Sequence, residues 1–129
     1  MSDKNLPHPT DAELAILRIL WQRGPSTVGE VQAGLSKERG TGYTTALKLL
    51  QIMTDKGLVE RDTSRRAHVY RTRSSQDQTE QQLVDDLLEK AFGGSAARLV
   101  MQALSTRRAS AEELEQIRRL LDKQKGDMP

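Results

Sequence analysis

Hydrophobic and polar positions alternate with the period of an α-helix in two stretches of the first forty residues. Each stretch opens with a Thr-x-x-Glu capping box, in which each side chain can accept a hydrogen bond from the other residue's backbone N–H. The boxes are Thr10 with Glu13 and Thr27 with Glu30, and a Gly-Pro pair ends the first helix. The positions predicted to face a core are Leu14, Leu17, Leu20, Trp21, Val28, Val31 and Leu35.

A third helical pattern covers residues 43–56 and is followed by a change of period. Gly57 is predicted to cap this helix in the left-handed conformation. Beyond it, residues 58–62 and 67–73 alternate apolar and polar side chains around a Thr-Ser-Arg-Arg turn, which is typical of a β-hairpin. Three helices and a basic-tipped hairpin form the layout of a winged helix-turn-helix, whose third helix fits the DNA major groove. The predicted buried stripe of the third helix is Ala46, Leu49, Leu50 and Met53.

The remaining third of the chain predicts three more amphipathic helices, so the predicted fold class is mainly α with a small β-hairpin. A Gly-Gly pair ends the first of them, and a capping box at Ser110 and Glu113 opens the last. Helices this short cannot form a stable core of their own. A second copy of the chain is the simplest partner for their apolar faces, and packing against the first part of the chain is the alternative.

We therefore expect a winged-helix DNA-binding domain over residues 1–74 and a helical dimerisation domain over residues 75–129. The residues predicted to form the dimer interface are Leu83, Leu87, Leu88, Phe92, Leu99, Val100, Leu104, Leu114, Ile117, Leu120 and Leu121.

The charge of the chain is small overall but unevenly distributed. The 129 residues carry a net charge of +2, yet residues 1–74 hold 12 Lys and Arg against 8 Asp and Glu, whereas residues 75–129 hold 8 against 10. A basic first part beside an acidic second part indicates that one part meets a polyanion and the other has a different task.

Several kinds of chemistry are not expected from this composition. The absence of cysteine excludes disulfides, thiol nucleophiles and cysteine-ligated metals, and two histidines do not make up a zinc site. The sequence contains neither a phosphate-binding glycine loop nor a nucleophile elbow, so we expect no enzyme activity, cofactor or metal. With neither a ~20-residue apolar segment nor a signal-peptide core, we expect a cytoplasmic protein that does not insert into a membrane.

The exposed first half of the third helix and the hairpin tip supply the candidate DNA-binding groups. Threonine offers a base edge a hydroxyl and a methyl group, and lysine reaches guanine or phosphate. Capping of their own helix is the alternative for Thr44 and Thr45, and Leu47 suits either a thymine methyl or core packing. The predicted DNA-binding residues are Thr41, Tyr43, Thr44, Thr45, Lys48, Arg65, Arg66 and His68.

Several motifs of the chain resemble those of the penicillinase-repressor (BlaI/MecI) family of winged-helix transcriptional regulators. The likeness extends over roughly residues 8–123 in the same order. The motifs that carry it are LxxLW (residues 17–21), TTALKLL (44–50), DKGLVER (55–61), RRAHVY (65–70) and the closing helix (112–121).

This resemblance implies a homodimeric repressor of an inverted-repeat operator, associated with antibiotic resistance. It also implies that proteolysis in the dimerisation domain relieves repression, after signalling by a membrane metalloprotease-sensor. The corresponding stretch is residues 99–104, where Gln102 and Ala103 replace an Asn and an aromatic residue that other members can have. Ile52 stands where an Arg is common in the third helix of the family.

Two other functions are compatible with a winged-helix sequence. A small-molecule-responsive regulator of the multiple-drug-resistance type needs a pocket between its DNA-binding and dimer helices, and the 4 aromatic residues of this chain do not favour one. A winged-helix module that binds a protein needs no continuous basic face, and salt would barely affect its binding.

Overall fold

The computed structural model describes residues 7–127, apart from the side chain of residue 38, and the outer ends of both predicted domains lie outside these residues. Within them the chain forms six helices and three short strands, which confirms the mainly helical architecture with a β-hairpin. The helices are α1 (Asp11–Arg23), α2 (Val28–Arg39), α3 (Tyr43–Lys56), α4 (Gln76–Ala91), α5 (Ala96–Thr106) and α6 (Ala111–Gly126). The strands are β1 (Ser26–Thr27), β2 (Val59–Asp62) and β3 (Val69–Thr72).

The helix ends follow the local signals in the sequence. All three predicted capping boxes are present, in α1, α2 and α6. In α1, Thr10 N donates to Glu13 Oε1 at 2.9 Å and Glu13 N donates to Thr10 Oγ1 at 3.2 Å. Gly57 has a φ of 86°, the left-handed conformation predicted for the cap of α3.

The first turn of α4 contains a reciprocal pair that was not predicted. Ser75 N donates to Gln78 Oε1 at 2.9 Å, and Gln78 N donates to Ser75 Oγ at 3.1 Å. Glutamine takes the place of glutamate here, since its side-chain oxygen accepts the same bond without a charge.

The hydrophobic core lies within residues 16–70 and is wider than the predicted stripes. In α1, Ile16 is buried together with the predicted Leu17 and Leu20, whereas Leu14 and Trp21, predicted on the same buried face, are only half-buried. Leu49 of α3 is likewise half-buried. The reason is that α1 packs against α2, α3 and β3 together, so its buried face is broader than a single row of side chains. The buried hydrophobic residues are Ile16, Leu17, Leu20, Val28, Val31, Leu35, Ala46, Leu50, Met53, Leu58, Val59 and Tyr70.

The hairpin has a third strand beside it. The sheet is antiparallel with the order β1-β3-β2, so β3 is central. Ser26 lies opposite Tyr70 and Thr27 opposite Val69 in the β1–β3 pair. The sequence predicted only two strands because a two-residue strand is too short to show an alternating pattern.

The chain divides into two compact units, Met1–Val84 and Asp85–Pro129. In the first unit, Trp21 Nε1 donates to the carbonyl oxygen of Ser74 at 3.2 Å and so joins α1 to the chain just before α4. In the second unit, no residue from 85 to 127 is buried. Whether the DNA-binding domain ends at residue 74 stays a prediction.

Candidate nucleic-acid interface

Helix α3, called the recognition helix from here on, presents one polar face. Ala46, Leu50 and Met53 are fully buried and orient the helix against α1, α2 and β2. Because successive residues of an α-helix are rotated by about 100°, Thr44, Thr45 and Lys48 point away from the core, whereas Leu47 and Leu49 pack against its edge. Four of the predicted residues are exposed on this helix, namely Tyr43, Thr44, Thr45 and Lys48. Thr44, Thr45 and Lys48 share one face, whereas Tyr43 lies about 160° around the helix from Thr45.

The two threonines of this face do not cap their own helix. The N-cap is Gly42, and no side chain makes a capping hydrogen bond. This observation does not support the capping alternative, because Thr44 and Thr45 lie inside the helix as its second and third residues. Thr41 is half-buried just before the helix, and its carbonyl oxygen accepts from Gln32 Nε2 at 3.1 Å, which holds the turn between α2 and α3.

The β2–β3 hairpin, called the wing, places the other predicted residues in its connecting loop. Arg65, Arg66 and His68 are all exposed. The turn is shaped by Asp62, whose Oδ1 accepts from Ser64 N at 2.9 Å. Hydrogen bonds from Ser64 hold the pKa of the Asp62 carboxyl below its ordinary value, with a smaller contribution from neighbouring arginines.

The arginines of the wing differ in whether they are already paired. Glu60 binds Arg71 at 3.3 Å and Arg73 at 3.5 Å, so both cations are partly neutralised within the hairpin. Arg65 and Arg66, in contrast, form no ion pair with any described residue. The two arginines at the tip of the wing, like Arg61 on β2, are therefore available to an external anion.

An open groove of about 460 Å³ lies between the recognition helix and the wing. The first residues of α2 form another part of its wall, so three elements meet there. Sequence reasoning placed Tyr70 in the hairpin but missed its place in this wall, because that position depends on the pairing of β1 with β3. The residues that line the groove are Thr27, Val28, Gly29, Tyr43, Leu47, Arg66, Ala67, His68 and Tyr70.

The predicted dimerisation residues are distributed over α4, α5 and α6, and six of them are more than a third exposed. The same helices expose two further apolar side chains that the prediction left out, Val84 at 42% and Met101 at 65%. The six are Leu87 (47%), Val100 (43%), Leu104 (39%), Leu114 (48%), Leu120 (56%) and Leu121 (54%). The other five are partly buried, namely Leu83, Leu88, Phe92, Leu99 and Ile117.

Gln102 and Ala103, the residues at the predicted cleavage position, are exposed in the middle of α5. Two hydroxyl groups bond to the backbone around them. Ser105 Oγ donates to the Met101 carbonyl at 2.8 Å, and Thr106 Oγ1 donates to the Gln102 carbonyl at 2.7 Å.

Metal sites and membrane spans were also sought in the described residues. They contain no group of three or more His, Cys, Asp or Glu side chains placed to hold a metal ion. None of their helices combines the length and the apolar character that crossing a bilayer requires.

The model of the penicillinase repressor family matches residues 9–123 of this chain. The chain belongs to the penicillinase repressor family. This finding confirms the predicted family, and with it the prediction of a transcriptional regulator with a DNA-binding winged helix rather than an enzyme. The matched range also agrees with the stretch of roughly residues 8–123 over which the sequence motifs resemble the family.

Two curated relatives are similar over most of their length. The transcriptional regulator BlaI of Mycobacterium tuberculosis is 34% identical over 112 residues, which are 86% of this chain and 80% of that protein. The penicillinase repressor of Bacillus licheniformis is 23% identical over 123 residues, which are 95% of this chain and 96% of that protein.

Solved structures from the family share the fold of the first unit. The solution structure of the DNA-binding domain of the repressor BlaI aligns with a TM-score of 0.51 at 24% identity. It covers 57% of this chain and 90% of that domain. The Bacillus licheniformis BlaI monomer in complex with the blaP half-operator gives the same TM-score, identity and coverage. The predicted winged helix-turn-helix is thereby confirmed for this member of the family.

Proposed function

We propose that the protein is a homodimeric, cytoplasmic repressor whose two winged-helix units bind the two halves of a palindromic operator. The observation that carries this proposal is the combination of exposed polar residues on the recognition helix with wing-tip arginines that form no ion pair with any described residue, and Tyr43 and Arg66 from these two elements line one groove. A family relative has been solved on a half-operator, which supports DNA as the ligand.

The residues of this surface have separate tasks in the proposed complex. Thr44, Thr45 and Lys48 point toward base edges in the major groove, where hydroxyl, methyl and ammonium groups discriminate between bases. Thr41 and Tyr43 contact the sugar-phosphate backbone beside them. The wing residues, Arg65, Arg66 and His68, bind phosphates of the adjacent strand and supply most of the sequence-independent affinity.

Dimerisation through residues 75–129 is supported by the exposure of their apolar side chains. A monomer rarely leaves so many leucines in water, since burying one contributes about 1.5–3 kcal/mol. A second copy of the same three helices offers a self-complementary apolar surface through twofold symmetry. The dimer would then hold two recognition helices at a fixed separation, which a palindromic operator requires.

Relief of repression by proteolysis between Gln102 and Ala103 belongs to the same proposal, with a membrane metalloprotease-sensor system as the source of the signal. A protease needs its substrate extended, so this part of α5 has to unwind. Helix α5 buries no residue, and two of its hydroxyls bond to carbonyls four residues earlier, an arrangement that slightly destabilises helices. Cleavage here would separate the helices that hold the dimer together.

Selection of bound sequences from random duplex DNA tests the operator, and sedimentation equilibrium tests the dimer. We expect an enriched palindrome and a dimer at micromolar concentration. In gel shifts on that palindrome, a Lys48/Arg65/Arg66 triple alanine variant should lose most of its affinity. A Lys90/Arg107/Arg108 triple alanine variant is the matched control, because it removes the same charge from residues outside the proposed DNA-binding surface.

If the Lys48/Arg65/Arg66 variant kept full operator affinity, the proposed location of the DNA-binding surface would be wrong. A chain that stays monomeric at micromolar concentration and ignores duplexes in dilute buffer would exclude the proposed function altogether.

A further inference from the structure

The groove between the recognition helix and the wing contains a polar group to which the proposed function gives no task. Tyr70 is only 1% exposed, yet it forms part of the groove wall. Its hydroxyl makes no hydrogen bond with any described residue, whereas every fully buried side-chain nitrogen or oxygen in the described residues has a partner. The hydroxyl therefore reaches the edge of the buried region, and the groove is the surface that Tyr70 lines.

The small sheet brings the start of α2 to the same place. Ser26 pairs with Tyr70 in the register of β1 and β3, and Thr27 then caps α2. Gly29, the second residue of α2, lies in the groove wall. The first-turn N–H groups of a helix have no intrahelical acceptor, and the Thr27 hydroxyl is already taken by Glu30 N at 3.2 Å. The Gly29 N–H thus remains a donor at the positive end of a helix dipole.

A DNA strand has to pass between the recognition helix and the wing. A helix in the major groove and a wing in the neighbouring minor groove are separated by one sugar-phosphate backbone. The groove is open rather than closed, so a continuous strand can cross it. Arg66 and His68 line it from the wing, and the guanidinium of Arg66 gives it a positive side.

Resting on the proposed function, we propose that this groove holds one phosphodiester group of the operator backbone, bound by the Tyr70 hydroxyl and the Gly29 N–H. Both donors belong to the framework of the domain, a central strand and a helix start, and not to a flexible side chain. They position the recognition helix at a fixed height over the bases. Tyr70 is therefore a positioning residue that acts on every DNA sequence alike.

Tyr70→Phe tests this contact, because it removes the hydroxyl and keeps the ring in the core. We expect binding to the operator and to a scrambled duplex to weaken equally, by about ten- to a hundredfold, the effect of one hydrogen bond to a charged group. The slope of log K against log salt should not change, since a neutral donor releases no counterion. Arg66→Gln should instead flatten that slope by about 0.9. Thr72→Val, which removes a hydroxyl from the same strand outside the groove wall, should bind as the wild type does.

A scan of duplexes carrying a single neutral methylphosphonate identifies the phosphate. At one position in each half-site, the wild type and Tyr70→Phe should bind with the same affinity, because the group that the hydroxyl binds is gone. At every other position the difference between them should persist.

Equal binding of the wild type and Tyr70→Phe to both duplexes would overturn the inference. So would a lower midpoint of thermal unfolding for Tyr70→Phe, since a hydroxyl without an internal partner should not contribute to stability. If the wild type itself binds no duplex, the proposed function is wrong. If the wild type and Tyr70→Phe both bind DNA normally, only the inference about Tyr70 is wrong.

Discussion

The two units of this protein contain helices of the same kind, but the apolar stripe is buried in the first unit and exposed in the second. Helix α1 in the first unit and α6 in the second both open with a capping box and both carry an apolar stripe. In α1 the stripe includes Ile16, Leu17 and Leu20, each at most 3% exposed, whereas in α6 Leu120 and Leu121 are more than half exposed. Local sequence therefore explains why both helices form, and only the presence of a packing partner explains why one of them is buried.

The difference also separates the tasks of the two units. The first unit has a core that holds the recognition helix and the wing in place, as base contacts require. The second unit keeps its apolar surface available, as a dimer interface requires, and its exposed α5 suits the proposed cleavage. In the proposed dimer, an apolar side chain would thus determine stability in the first unit and association in the second.

The largest expected effect compares one leucine from each unit. Leu50→Ala, at a fully buried position, should lower the free energy of unfolding by about 2–5 kcal/mol, because it leaves a cavity. Leu120→Ala, at a side chain 56% exposed, should change the unfolding of the first unit by less than about 0.5 kcal/mol and should instead raise the dimer dissociation constant.

Urea denaturation followed by Trp21 fluorescence reports the first unit, and sedimentation equilibrium reports the dimer. If Leu120→Ala destabilised the first unit as much as Leu50→Ala does, the contrast between the units would be wrong.

A smaller effect is expected at an ion pair inside the first unit. Glu13 is buried, and its Oε1 lies 2.7 Å from Lys56 Nζ, which also donates to the His8 carbonyl at 3.1 Å. Burial by itself would raise the pKa of Glu13, but hydrogen bonds from Lys56 and Thr10 outweigh it and hold that pKa below its ordinary value. Glu13→Gln keeps the cap and removes the charge, so we expect a loss of about 1–3 kcal/mol at neutral pH.

The sign of the pH dependence follows from the lowered pKa. The stabilisation is complete above the ordinary pKa of glutamate and is lost as the pH falls through the lower value in the folded protein. The stability difference between the wild type and Glu13→Gln should therefore shrink in acid, measured as urea midpoints at pH 7 and below pH 4. Glu30→Gln, in the exposed capping box of α2, is the matched control and should cost less than about 1 kcal/mol, because its ion pair with Arg23 at 3.0 Å is half-exposed. If the stability difference between the wild type and Glu13→Gln grew in acid, the lowered pKa of Glu13 would be contradicted.

The smallest effect is expected on the surface of the second unit. Glu115 pairs with Arg118 at 3.0 Å and with Arg119 at 3.3 Å, all exposed or half-exposed and all within one helix. Glu115→Gln should cost only about 0.2–0.5 kcal/mol, since such pairs are screened by solvent. Thermal unfolding followed by circular dichroism should show that 1 M salt removes this difference. A loss above 1 kcal/mol would indicate that Glu115 has a partner outside its own helix.

The sequence alone predicted the part of the candidate site that lies on one helix or in one turn. The sequence placed Thr44, Thr45 and Lys48 on the exposed side of α3, because helical periodicity separates them from Ala46 and Leu50. It could not show that Glu60 neutralises Arg71 and Arg73, since that depends on the register of β2 against β3. The place of Tyr70 beside the start of α2 likewise depends on a strand of two residues.

By itself, the sequence determined the helices, their capping boxes, the hairpin and the family, because these depend on interactions within about four residues, on alternating side chains around one short turn, or on motifs in a fixed order. The tertiary structure decided which apolar faces are buried, that Glu13 binds a lysine 43 positions away, and that Tyr70 opens onto a groove. These features depend on residues that are distant in the chain, and only the folded packing brings such residues within contact distance.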